Sequence, residues 1–301
     1  MKKVTPILIT YFLLMTGILS CRNEKTTEAP KPEFMTFMPD SSRAVRPEGK
    51  QEILYGLLTP TEISAIFTRL GIAYNESIIN PTSNLNLYTS SSEASLNLGI
   101  YGVDFGYVRM FGISQEMINY VLTIRNLCDK LGIPDKLLTE PIRKIEENSV
   151  DPDSIMPLLN KSYQDIEDLL RKDGRESTAG LMLLGGWVEA LYITTQLLYN
   201  TENPDRQVVE KIAQQKYTLN SLLNFMRNYY DDPIVVYYTK KLIFLKRYFD
   251  TFDIYFQIGD LEIDTTKKVL KATNSEMTIS SETLNNIKDY VKNLRAEMVT
   301  P

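Results

Sequence analysis

Two acids draw attention because of the residues around them. Asp104 lies in Val103-Asp104-Phe105-Gly106-Tyr107-Val108, and Glu189 in Val188-Glu189-Ala190-Leu191-Tyr192-Ile193. These two apolar segments align without a gap, each with its acid three residues before a tyrosine. Helical spacing puts positions three apart on one face, so Tyr107 and Tyr192 are the nearest hydroxyl donors in sequence. A carboxylate among apolar side chains is unfavourable unless it is paired or neutral. Two chemistries follow. Asp104 and Glu189 could face one cavity, as an acid–base pair with raised pKa values or as ligand anchors. Or they are satisfied core carboxylates that fix helix register, which is the expectation here. Arg109, Arg125 and Lys240 are the cations considered as partners.

The other reactive types are few. The chain has no histidine, which excludes His-containing zinc sites, histidine-based triads and di-iron sites built on Glu-x-x-His. Cys128 shares a helical stripe with Val121 and Ile124 and reads as a buried thiol, since no histidine is present to activate it. No nucleophile elbow, P-loop or dinucleotide glycine fingerprint occurs. No metal site and no cofactor are expected, because carboxylates alone suit hard cations and no calcium-loop spacing is present. There are 18 tyrosines. Tyr229-Tyr230 and Tyr237-Tyr238 flank the turn Asp231-Asp232-Pro233 and are the candidate aromatic surface for a glycan. The simpler expectation is that one tyrosine of each pair packs inward. The long segment from Tyr74 to Ser92, with Asn75, Asn80, Asn84, Asn86 and Tyr88, reads as a connector.

The elements that would hold these residues are helices. Thr59-Pro60-Thr61-Glu62 is a helix start, with Leu58 and Ile63 as a hydrophobic staple. Helices are predicted from about Ser92 to Phe111, Ser114 to Leu131, after Pro134, Asp153 to about Arg171, and Glu176 to Tyr199. Another is predicted after an Asn203-Pro204 cap. Beyond Asp232-Pro233, the residues Val235, Tyr238, Leu242, Leu245, Phe249, Phe252 and Phe256 recur in steps of three and four. That is helical periodicity and predicts a rod of about 35 Å. Leu284, Ile287, Val291, Leu294 and Met298 repeat the pattern near the carboxyl end. Thr273-Asn274-Ser275, between Val269-Leu270 and Met277-Ile279, suggests a small β-hairpin near 268–280. Gly99, Gly102, Gly106, Gly185 and Gly186 lie in or beside the two echoing segments. Glycine in a helix costs about 1 kcal/mol relative to alanine and is tolerated where another backbone comes close. The expected fold class is all-α: an antiparallel multi-helix bundle or helical-hairpin array.

The amino terminus sets the expected location. Met1-Lys2-Lys3 and the apolar run from Val4 to Leu19 form a secretory-signal pattern. The run ends in Ile18-Leu19-Ser20-Cys21, which resembles the lipobox of bacterial lipoproteins, with Leu19 bulkier than that family usually carries. The resemblance implies cleavage before Cys21, a diacylglyceryl thioether on its sulfur and acylation of the new amino terminus. A membrane partner held through several acyl chains follows. Arg22 after the cysteine implies, by the sorting rules of that family, the outer membrane. Prolines 30, 32, 39 and 47 in a polar stretch mark a flexible tether. The expected organisation is a signal peptide at 1–20, lipidated cysteine and tether at 21–50, and one helical domain at 51–301. With Cys21 lipidated, Cys128 has no disulfide partner within the chain. Leu96-Asn97-Leu98-Gly99-Ile100-Tyr101-Gly102-Val103-Asp104 also resembles a stretch in uncharacterised helical lipoproteins of Gram-negative bacteria. That likeness implies no activity.

Composition narrows the function classes. Net charge is −5, and losing Lys2 and Lys3 with the signal takes it near −7. This argues against nucleic acid as a partner. The expectation is a non-enzymatic envelope lipoprotein that binds a small molecule, a glycan or an envelope protein. The alternatives are a carboxylate-dependent glycan-processing enzyme and a structural or assembly lipoprotein, which would show a large apolar surface patch.

Overall fold

A computed structural model describes residues 60–134, 136–146, 158, 161–162, 165–166, 168–255, 261–264, 269–272 and 276–301. The expected signal segment, Cys21, the expected tether, the expected Thr59 cap and most of the helix expected over 153–171 lie outside the described residues. Within them the fold is all-α. Its helices include α1 (Pro60–Leu70), α2 (Ser91–Met110), α3 (Ser114–Lys130), α4 (Lys136–Glu146), α5 (Glu176–Ile193), α6 (Arg206–Met226), α7 (Pro233–Phe249) and α8 (Ser281–Val299).

Local chemistry sets most of these boundaries. Ser90 starts α2 with a capping box: its hydroxyl accepts the Glu93 N–H at 3.1 Å, and Glu93 accepts the Ser90 N–H at 2.9 Å. The cap of α6 is Asp205, not Asn203, because Asp205 directly precedes the first helical residue and accepts the Val208 N–H. Arg69 of α1 grips the same carboxylate through two hydrogen bonds of 2.6 and 2.9 Å. Asp232 caps α7 by accepting from Ile234 and Val235.

Two expectations fail where helical periodicity meets strand pairing. The stripe beginning at Val235 leaves the helix after Phe249, not Phe256. Phe252 remains in the core, carried there by a turn at Asp250–Thr251. Beyond it the backbone is held by pairing: Asp253 N–H bonds Thr278 Oγ1, Thr278 N–H bonds the Asp253 carbonyl, and β1 (Ile254–Tyr255) pairs with β4 (Glu276–Met277). The hairpin expected near 268–280 is displaced. β3 (Val269–Ala272) pairs backwards with β2 (Leu261–Asp264), setting Glu262 opposite Lys271 and Ile263 opposite Leu270. The partner of Val269–Ala272 therefore lies upstream at Leu261–Asp264, and Thr273-Asn274-Ser275 lies outside the described residues.

The centre of the core is the pair α2 and α5, which make the most extensive contact in the molecule. A Cβ placed on Gly99 would fall 1.9 Å from the Met182 carbonyl oxygen, and one on Gly185 would fall 1.9 Å from that of Leu96. Only glycine allows this approach. The contacts advance together along both chains, Gly99 with Met182 and Gly186, Val103 with Gly186, Asp104 with Glu189. The two helices therefore run parallel, in the register of the sequence echo. Hairpin neighbours are antiparallel around them: α2 with α3, where the rings of Tyr101 and Tyr120 meet at 5.8 Å, and α7 with α8, where Lys241 meets Glu297 and Phe244 meets Tyr290. Glu176–Leu198 is apolar and long enough to cross a bilayer, and 72% of its most apolar window is buried inside the protein. Its central place in the core accounts for that composition.

Candidate functional site

The parallel packing of α2 on α5 brings Asp104 and Glu189 together, and neither is exposed at all. Arg295 of α8 completes the cluster. Its Nε donates to Glu189 Oε2 at 2.9 Å and its terminal nitrogen to Oε1 at 3.0 Å, the bidentate geometry that makes arginine–carboxylate pairs strong. Tyr192 lies beneath the guanidinium, 4.7 Å from ring centre to Cζ, a cation–π contact.

Asp104 is held differently. Its Oδ2 accepts the Asn80 backbone N–H at 3.0 Å, whereas no N–H or neighbouring hydroxyl donates to its enclosed Oδ1. Asp104 and Glu189 are within hydrogen-bonding reach of each other. Two carboxyl groups can bond only if one carries a proton. Burial pushes the Asp104 carboxyl well above the usual range, the Glu189 charge pushes it further, and Arg295 opposes both. Burial also raises Glu189, but there the Arg295 charge and hydrogen bonds act against it. These directions agree with a protonated Asp104 beside an ionised Glu189 that Arg295 neutralises.

A polar shell fastens the segment from Asn75 to Tyr88 onto this cluster. The Asn80 amide donates to Tyr88 Oη at 2.8 Å and to Asn97 Oδ1 at 3.1 Å, and Tyr120 donates to the Asn80 carbonyl at 2.8 Å. Asn97 donates to the Met298 carbonyl and Tyr88 to that of Val299. Tyr101 donates to Pro81. The connector is therefore folded into the core through its asparagines, by way of 3₁₀ turns at Glu76–Ile78 and Thr82–Leu87.

Of the residues singled out in the sequence, Asp104, Glu189 and Tyr192 meet around Arg295. Tyr107 does not join them. Its hydroxyl accepts the Asn75 N–H at 2.8 Å, and its ring stacks on Tyr74 beside Phe111. The cation that pairs with Glu189 is Arg295, and not Arg109, Arg125 or Lys240. Its signal was present, since it stands four residues after Val291 and three before Met298, on the apolar stripe of α8. Asn97 is marked in the same way by Leu96, Leu98 and Tyr101.

The tyrosine pairs at the 231–233 turn divide. Tyr238 is buried and Tyr237 exposed; Tyr229 is half-buried against Gly180, and Tyr230 is exposed. Tyr237 donates to Glu297 at 2.6 Å, and Lys241 stands over its ring while donating to the other Glu297 oxygen at 2.8 Å. With Lys240, Phe244 and Tyr290 these residues line an open groove of about 350 Å³ between α7 and α8. Phe244 and Tyr290 stack there at 5.3 Å and 21°. Among the described residues no group of three or more Cys, Asp or Glu is placed to hold a metal ion. Comparisons with protein-family models, curated proteins and solved structures find no match.

Proposed function

We propose that the chain is an envelope lipoprotein, held by acyl chains on Cys21, whose helical domain binds a small molecule, glycan or envelope protein and does not transform it. The observation that supports this best is the fate of the two acids. Each is sealed from solvent, Glu189 paired with Arg295 and Asp104 holding the Asn80 N–H. A glycan-cleaving pair needs its carboxyl groups roughly 5–10 Å apart, with a sugar between them. Acids with no exposed surface give a sugar no access, so this pair does not support the glycan-processing alternative. The exposed aromatic groove between α7 and α8 supplies the surface that a binding domain needs. A second reading, an assembly lipoprotein, is favoured by the apolar row along α7 that includes Ile234, Tyr237 and Phe244.

The anchor is tested with Cys21→Ala in a Gram-negative host fed labelled palmitate. The unaltered chain should take up label and sediment with the outer membrane. Cys21→Ala should lose the label and remain unprocessed. Normal processing and an outer-membrane location for Cys21→Ala would overturn the reading.

A further inference from the structure

Helix α7 carries a buried apolar stripe and, beside it, a largely aromatic row that is partly exposed. Val235, Tyr238, Leu242, Leu245 and Phe249 step by three and four and are buried. One residue before each stands Ile234, Tyr237, Lys241, Phe244 and Tyr248, in the same steps. In this second row Ile234 is 39% exposed, Tyr237 46% and Phe244 42%, while Lys241 and Tyr248 are half-buried against Tyr290. Tyr290 of α8 lies beside it, stacked on Phe244. Alternating steps of three and four over two heptads make the seam by which one helix receives another. At about 1.5 Å per residue the row runs for about 21 Å. That is a helix-length contact, and Ile234 at its end has no ring for a sugar to stack on.

The rim carries a charge pattern with the same period. Lys240 and Arg247, seven residues apart, occupy the position that flanks the seam in each heptad, and Arg247 rests over the Phe244 ring at 5.3 Å. Seam-flanking charges choose the partner in helix pairing. A second copy packed antiparallel about a two-fold axis would bring Lys240 and Arg247 against their own counterparts, which disfavours self-association.

We propose that the outer row of α7 is the docking surface for one amphipathic helix of a partner protein, apolar in alternating three- and four-residue steps and acidic at the positions flanking that row. This rests on the binding-domain reading above and names its surface and occupant.

The test uses the full chain in detergent and a synthetic helix of about three heptads, with leucine along the seam and glutamate beside it. Fluorescence anisotropy of the labelled peptide reports binding. Saturable binding is expected, weakened about tenfold or more by Phe244→Glu or by exchanging the peptide's glutamates for lysines. The double variant Lys240→Glu/Arg247→Glu should reverse the preference, favouring the lysine peptide. Absence of saturable binding, equal binding of both peptides, or no effect of Phe244→Glu in a protein of unchanged circular dichroism would overturn the proposal. So would a concentration-dependent dimer abolished by Phe244→Glu. These failures leave the wider reading standing if Cys21→Ala still loses the palmitate label and remains unprocessed. Retention of processed Cys21→Ala would sink the wider reading whatever the peptide does.

Discussion

Burial and the neighbouring Glu189 charge raise the Asp104 carboxyl, and this makes stability depend on pH in a defined direction. In the unfolded chain the carboxyl titrates near its ordinary value, about 3.9. In the fold, burial first and the Glu189 charge second raise it. Below the unfolded value both states are protonated and the contribution is fully present. Between the two values the unfolded state binds fewer protons, so stability falls as pH rises, by up to about 1.4 kcal/mol per unit for one group. Asp104→Asn removes the titration and keeps the contacts, since an amide can accept the Asn80 N–H and donate to Glu189. Urea unfolding should therefore find the variant similar to the parent near pH 4 and more stable at pH 8, with a flatter profile between. An unchanged slope would place the proton elsewhere.

At the scale of elements, the contact of α2 with α5 is a backbone-to-backbone approach, and its glycines are not equivalent. Gly99→Ala would drive a methyl group into the Met182 carbonyl and the Gly186 N–H. Backbone atoms cannot swing aside as a side chain can, so the helices must separate, at a cost of at least about 1–3 kcal/mol. Gly102, one turn on, is exposed and has nothing within 4 Å of such a Cβ. Gly102→Ala should stabilise the helix by about 0.5–1 kcal/mol. Thermal melts of the two variants should move in opposite directions; destabilisation by both would mean that the glycines serve something other than close approach. This close packing was legible in the sequence, because glycines clustered in two apolar segments have few other uses. The helix start at Asp232-Pro233 was legible from local cap chemistry, whereas the start expected at about Ser92 lies at Ser91, capped by Ser90. The end of α7 was not legible. Phe252 satisfies the helical period and the core alike, and only the pairing of Ile254 with Met277 shows that it arrives by a turn.

Across the whole molecule, what the sequence hides is which distant groups meet. Local periodicity placed Asp104 and Glu189 inside the core, yet nothing in their own helices identifies Arg295, which lies 106 positions beyond Glu189. It joins the stripe of α8 as a charged residue among apolar ones, and its meaning depends on a partner from another part of the chain. The same cluster fastens four segments at once: α2 through Asp104 and Asn97, α5 through Glu189, α8 through Arg295 and the carbonyls of Met298 and Val299, and the 75–88 connector through Asn80 and Tyr88. Arg295→Met would leave the Glu189 charge buried and unpaired, a loss of about 3–5 kcal/mol. Because four segments share the cluster, amide hydrogen exchange should quicken together in α2, α5, α8 and the connector. Adding Glu189→Gln to that variant removes the stranded charge, and unfolding midpoints should recover part of the loss. Faster exchange confined to α8 would show that the last helix is merely docked on a core able to stand without it.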